Sequence, residues 1–98
     1  MEKDLKKLFQ TRDKAVTKQD AELFRSTQLP DVEYSSAQGY LAIDNLTTEI
    51  LFIHKDSSDV RLVLVKETYK PKDKAAYSSY LLYFVTHAEK GWLIYRIR

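Results

Sequence analysis

The chain has 98 residues, two Gly, two Pro and no Cys, a length for one domain (residues 1–98) that buries about 60–68% of its unfolded surface. Without cysteine there is no disulfide framework, thiol nucleophile or thiolate zinc site. Sixteen Lys and Arg against 14 Asp and Glu give a net charge of +2, too weak for the basic stripe of a nucleic-acid binder, and no run reaches the ~18 apolar residues that insert into a membrane.

Leu5, Leu8, Phe9, Arg12 and Val16 recur at i, i+3, i+4, i+7 and i+11, which lines one face of a helix over residues 3–16. Thr17 with Asp20 three positions later reads as a capping box. It opens a second helix over 18–28 that turns Ala21, Leu23 and Phe24 inward and stops before Pro30. Residues 31–45 have two readings: a third short helix over 37–45, capped by Ser35 or Ser36 and carrying Tyr40, Leu41 and Ile43, or a short strand at 32–34. From Leu46 onward β-branched and aromatic residues take over, in LTTEILFIHK, DVRLVLVKETYK, AAYSSYLLYFVTH and GWLIYRIR. The short, turn-rich gaps between them imply antiparallel hairpins. The fold class is α+β: a helical hairpin, with a third short helix, on a curved four-stranded antiparallel sheet.

Both faces of these strands are apolar. Val60, Leu62 and Leu64 oppose Val63 and Val65; Tyr80, Leu82 and Phe84 oppose Leu81, Tyr83 and Val85; Ile50 and Phe52 oppose Leu51 and Ile53. Helices cover one face of a sheet, so the other meets a partner, most simply a second copy. Leu81, Tyr83, Val85 and Trp92 are the candidates for that dimer face.

The stretch RDKAVTKQDAELFRS, the late strand YLLYFVTH and the closing EKGWLIYRI resemble the nuclear transport factor two-like superfamily, also called cystatin-like. The segment SSAQGYLAIDNL is similar to its third helix and first long strand. Within it, the chain looks most like small bacterial domains appended to cell-wall or membrane proteins, and it is one or two strands short of the usual form. The resemblance implies sheet-to-sheet dimers and a pocket between helices and sheet. It also implies either an enzyme of isomerase or dehydratase type or a non-catalytic binding module.

An enzyme of that type needs a carboxylate or His base and a group to stabilise an oxyanion. The candidates are Asp44, His54, His87 and the tyrosines. His87 shares strand parity with Tyr77, Leu81 and Tyr83, so Tyr40, Tyr83 and His87 are the candidate ligand pocket and His87 the candidate catalytic residue. Both histidines adjoin turns, where a half-exposed structural histidine is the ordinary outcome, and Asp44 suits a solvated helix end. The only mid-strand carboxylates, Glu49 and Glu67, lie near strand ends, so no buried base is evident. Tyr69, Tyr77, Tyr80 and Tyr83 gather around one hairpin, as cross-strand pairs or as a binding surface.

Two scattered histidines give no metal-ligand spacing, and there is no phosphate loop or nucleophile elbow. Lys66, Lys70, Lys72 and Lys74 read as a solvated turn, and Asn45-Leu46-Thr47 as a chance glycosylation triplet. The residues therefore favour a non-catalytic dimerising or binding module, without cofactor, that takes a protein partner or a small apolar ligand. An isomerase or dehydratase and a toxin-neutralising immunity protein are the alternatives. Met1 as a native start implies the cytoplasm; an excised domain implies an extracytoplasmic setting.

Overall fold

Helix α1 (Glu2–Lys18) carries the stripe read from the sequence: Leu5, Phe9, Arg12 and Val16 are all buried, as is Ala15. The computed structural model describes residues 2–89 and 91–98. Gln19, at φ 59°, ends α1. Asp20 then caps α2 (Ala21–Arg25) by accepting a 3.0 Å bond from the Leu23 amide. Thr17 takes no part in that cap, because it still lies within α1; its hydroxyl donates to Asn45 Oδ1 at 2.7 Å. Helix α2 stops well short of residue 28, because the chain leaves it to pair with the sheet. Gln28 bridges Ile94 in parallel, the Ile94 amide donates to the Thr27 carbonyl at 3.0 Å, and the Leu29 amide donates to the Ile94 carbonyl at 2.9 Å.

Residues 31–34 form turns rather than a strand. Helix α3 (Ala37–Tyr40) is a single turn, capped by Ser36 Oγ accepting from the Gly39 amide at 3.0 Å. It ends before residue 45 because strand β1 starts at Ile43.

Strands β1 (Ile43–Lys55), β2 (Val60–Pro71), β3 (Tyr77–Ala88) and β4 (Gly91–Ile97) form an antiparallel meander in the order β1-β2-β3-β4. The expected α+β architecture is the observed one. Helix α1 lies across one face, where Val63, Val65, Tyr83, Val85, Trp92, Ile94 and Ile97 join Leu5 and Phe9 in the main core. A smaller cluster of Ala15, Val16, Phe24 and Leu46 fills the end toward α2. Among the described residues, no helix is long and apolar enough to cross a membrane.

Two features correct the strand-face reading. First, Leu81, Tyr83, Val85 and Trp92 lie on the helix side: Tyr83, Val85 and Trp92 are buried and Leu81 packs against them. The candidate dimer residues are thus core residues, because α1 settles its apolar stripe on that side. Second, β-bulges break simple alternation. The register slips between Ile50 and Phe52, so Ile50 and Ile53 both face the core while Phe52 and His54 face outward. Another slip at Phe84/Val85 lets Ile94 and Ile97 both point inward. The helix-free outer face carries Phe52, Leu62, Leu64, Tyr80, Leu82 and Phe84, with Phe52 61% and Tyr80 65% exposed.

Candidate functional site

The most unusual chemistry in the core comes from two consecutive α1 residues meeting two cross-strand neighbours. Thr48 of β1 and Glu67 of β2 are directly paired. Arg12 reaches Glu67, and Asp13 reaches Thr48. The Arg12–Glu67 ion pair (Nη1 to Oε2, 3.0 Å) is fully buried at both ends. Tyr40 of α3 donates its hydroxyl to Glu67 Oε1 at 2.6 Å, and the Tyr83 hydroxyl donates to Oε2. The two phenol oxygens are 3.5 Å apart. Arg12 Nη2 donates to Ser35 Oγ at 3.1 Å; Ser35 in turn donates to Gln28 Oε1, and Gln28 Nε2 donates back to the Ser35 carbonyl. Arg12 Nε has no partner among the described residues. The guanidinium is cushioned by the rings of Tyr40 (4.2 Å), Tyr83 (5.0 Å) and Phe24 (5.2 Å). Isolated ions do not survive burial, so each of these donors and acceptors is needed to offset the desolvation of the pair.

Asp13 clips the helix to β1, accepting from the Thr48 amide (2.8 Å) and hydroxyl (2.6 Å). Burial pushes its carboxyl up to about 6, against the pull of the Thr48 bonds and the Arg12 charge. Burial also raises the Tyr40 and Tyr69 phenols, with Glu67 adding to both shifts, so both stay protonated as donors.

Above this network lies a cleft of about 310 Å³ lined by Val32, Tyr34, Ser36, Gly39, Tyr40, Ile43, Tyr69 and Tyr77. Tyr40 belongs to both, its ring in the cleft wall and its hydroxyl on Glu67. The rings form a series, with Phe24–Tyr40 centroids 5.3 Å apart, Tyr40–Tyr69 6.3 Å and the cross-strand pair Tyr69–Tyr77 5.0 Å. A floor of fixed charge under aromatic walls can hold and orient an apolar molecule. Among the described residues, no group of three His, Cys, Asp or Glu converges to hold a metal.

No family model matches the sequence, and no curated protein matches it. Solved structures do match. An NTF2-like protein of unknown function from Shewanella oneidensis superposes with a TM-score of 0.78 at 13% identity, over 97% of this chain and 94% of that one. A cystatin-like domain of unknown function from Nostoc punctiforme gives 0.74 at 18% identity, over 98% and 74%. The chain has the nuclear transport factor 2-like (NTF2-like, or cystatin-like) fold. A candidate dehydratase of the NTF2-like family from Streptomyces avermitilis shares it at TM-score 0.62 and 10% identity, over 97% and 91%. The NTF2-like fold supports a binding or an enzymatic module, and function has to be argued from the site.

Within this NTF2-like frame the structure brings Tyr40 and Tyr83 together on Glu67 and leaves His87 out. His87 is exposed at the opposite end of β3, edge-on to Trp92 at 5.1 Å, because its strand position lies beyond the core residues Tyr83 and Val85. It lines a different groove, with Thr27, Gln28 and Trp92. His54 and Asp44 are exposed. Trp92 packs in the core under Arg61, whose guanidinium is 5.0 Å from the ring. The residues that sequence reasoning missed are Arg12 and Glu67. The signal was present: Arg12 stands in an otherwise apolar helical stripe, and Glu67 shares parity with Val63 and Val65.

Proposed function

We propose that the chain is a non-catalytic binding module that holds a small apolar ligand in the tyrosine cleft and pairs with a second copy through its bare sheet face. The observation that carries the binding reading is the saturation of Glu67. A general base needs a lone pair aimed at substrate, and both oxygens of this carboxylate are taken by Arg12, Tyr40 and Tyr83. The buried charge therefore serves as a rigid floor. Support for pairing comes from the outer face, where Phe52, Leu62, Leu64, Tyr80, Leu82 and Phe84 form an apolar patch across β1, β2 and β3 that the helices do not cover. Native mass spectrometry of the purified chain tests both halves. A dimer that retains or takes up a small apolar molecule is the expected result. A monomer at tens of micromolar removes the pairing, and a protein that takes up no apolar molecule removes the ligand.

One observation favours an isomerase- or dehydratase-type enzyme as a second reading: the Tyr40 hydroxyl stands between the cleft and Glu67. In that case the Tyr40 hydroxyl turns its hydrogen bond from Glu67 to a ligand oxygen and polarises it without giving up its proton, which burial and Glu67 hold in place. Tyr40→Phe then abolishes turnover and spares binding, whereas in the binding module it changes affinity alone.

A further inference from the structure

We propose that the cleft takes a flat, uncharged ring system and that Tyr34 closes over it, stacking the ligand against Tyr69 and Tyr77. The inference rests on the reading of this cleft as the ligand site and adds the ligand's chemistry and the residue that selects it.

The walls set the shape. Tyr69 and Tyr77 lie side by side on adjacent strands with their planes only 34° apart, and Tyr40 continues the surface at 46° to Tyr69. Such a wall rewards a planar partner, since aromatic rings gain from offset stacking beyond simple burial. At about 310 Å³ the cleft is at the small end of ligand sites, room for one or two fused rings.

The charges set the class. Among the described residues, no Lys, Arg, His, Asp or Glu lines the cleft; the Glu33 carboxylate that bonds the Tyr34 hydroxyl lies outside that lining. Beneath it Glu67 is matched by Arg12, so no unbalanced charge awaits a counter-ion. A cation drawn to the tyrosine faces is opposed by Arg12, already 4.2 Å from the Tyr40 centroid. An anion meets ring faces of negative potential with no basic side chain in the lining. A neutral ring is what remains favourable on every wall.

Tyr34 supplies the other side. It sits at φ 68°, in the left-handed region that a bulky side chain rarely occupies. Asp31, three residues earlier, is also left-handed at φ 59°. The segment is pinned by buried Val32 and by Ser35, which is bonded to Arg12 and Gln28. Those anchors force the backbone path, yet the ring they position is 76% exposed at the cleft rim. Backbone strain that holds an aromatic ring out over a cleft gains nothing from core packing; the ring acquires a partner when the cleft is filled.

The test uses three ring-matched probes titrated calorimetrically into the full chain at neutral pH: 2-naphthol, 2-naphthoate and (2-naphthylmethyl)trimethylammonium. The neutral probe is expected to bind about tenfold tighter than either ion, and Tyr77→Ala to weaken it. Tyr34→Gly relaxes the positive φ, so its melting temperature stays at or above the wild-type value, while its affinity for 2-naphthol falls about three- to tenfold, the loss of one aromatic contact. Tyr34→Phe keeps the affinity. Wild-type affinity in Tyr34→Gly overturns the role of Tyr34. A charged probe that binds best, and is lost in Tyr77→Ala, overturns the ligand class and leaves the site standing. Failure of all three probes to bind overturns the ligand-site reading itself.

Discussion

Glu67→Gln is the sharpest perturbation of the buried network, because it removes one charge and almost no volume. Glu67 is fully buried and its Oε2 accepts from Arg12 and Tyr83, its Oε1 from Tyr40. The glutamine still offers one acceptor, but it leaves the Arg12 guanidinium, which cannot shed its proton, uncompensated in the core. Breaking a buried pair in this way costs about 3–5 kcal/mol, against a total of roughly 5–15 kcal/mol for a domain of this size. At about 4–8 °C per kcal/mol the melting temperature falls by more than ten degrees. Arg12→Met costs less, because the orphaned carboxyl keeps its two phenol donors, Tyr40 and Tyr83. The double variant Arg12→Met/Glu67→Met returns to within about 2 kcal/mol of wild type, since an apolar pair of similar volume often replaces a buried ion pair at little cost, and Tyr40 and Tyr83 are close enough to bond each other. Urea unfolding followed by the fluorescence of Trp92, the only tryptophan, and by circular dichroism compares Glu67→Gln with wild type and reports the four corners of the cycle formed by wild type, Arg12→Met, Glu67→Met and the double variant, all at one fixed protein concentration. The expected coupling is about 3 kcal/mol. A Glu67→Gln protein within about 1 kcal/mol of wild type, with additive effects, would refute the account of a charge-matched floor.

Three further outcomes follow from single features. Because the Asp13 pKa is raised in the fold to about 6 from 3.8, the folded protein binds the extra proton. Its contribution is fully present below about pH 4 and is lost as pH rises through 6, worth up to about 3 kcal/mol. Asp13→Asn, which can still accept from the Thr48 amide and donate to its hydroxyl, should unfold no earlier than wild type at pH 7.5 and should flatten the stability slope between pH 4 and 7 in urea melts; an unchanged slope counts against it. Gly91, at φ 120° at the start of β4, lies where side chains are strained even though the space is open. Gly91→Ala should therefore cost about 1–3 kcal/mol by denaturant melt, and a neutral effect refutes the strain. Phe52→Lys with Tyr80→Lys, both on the exposed sheet face, should leave the monomer fold intact by circular dichroism and shift sedimentation from dimer to monomer. An unshifted dimer means that pairing uses another surface.

The strands and turns were legible because their signals are local: β-branched runs, short polar gaps and Pro71 all act within a few residues. Helix α1 was legible from its apolar stripe. What escaped depends on long-range geometry. The bulge at Leu51 answers to sheet curvature, and it alone decides that Phe52 faces solvent while Ile50 and Ile53 face the core. The choice of covered face was invisible because both faces of β2 and β3 are apolar; only the docking of α1 makes Tyr83 and Val85 interior. Helix α2 is short because Thr27 and Leu29 are drawn into hydrogen bonds with Ile94, a contact 65 or more positions away in the chain. In the candidate site Tyr40 and Tyr83 were found by residue type and parity. Arg12 and Glu67 were passed over because each looks like a surface charge until it is seen that the stripe of one and the parity of the other point at the same interior.

The buried pair makes more sense as a device for geometry than as a source of stability. Helix α3 has four residues and buries none of them, too short to hold its own shape. Its position is set through Tyr40, by the hydroxyl on Glu67 and by ring contacts with Arg12, Phe24 and Tyr69. The same pair pins the segment from Gln28 to Ser35, and so places Tyr34. An apolar core could match the pair in free energy, but it would leave α3 without a directional tether. Stability and cleft shape are therefore separable. Arg12→Met/Glu67→Met should fold nearly as well as wild type and yet bind a planar neutral probe poorly, because Tyr40, left with Tyr83 as its hydroxyl partner, loses the carboxylate and guanidinium that fix its ring in the inner wall.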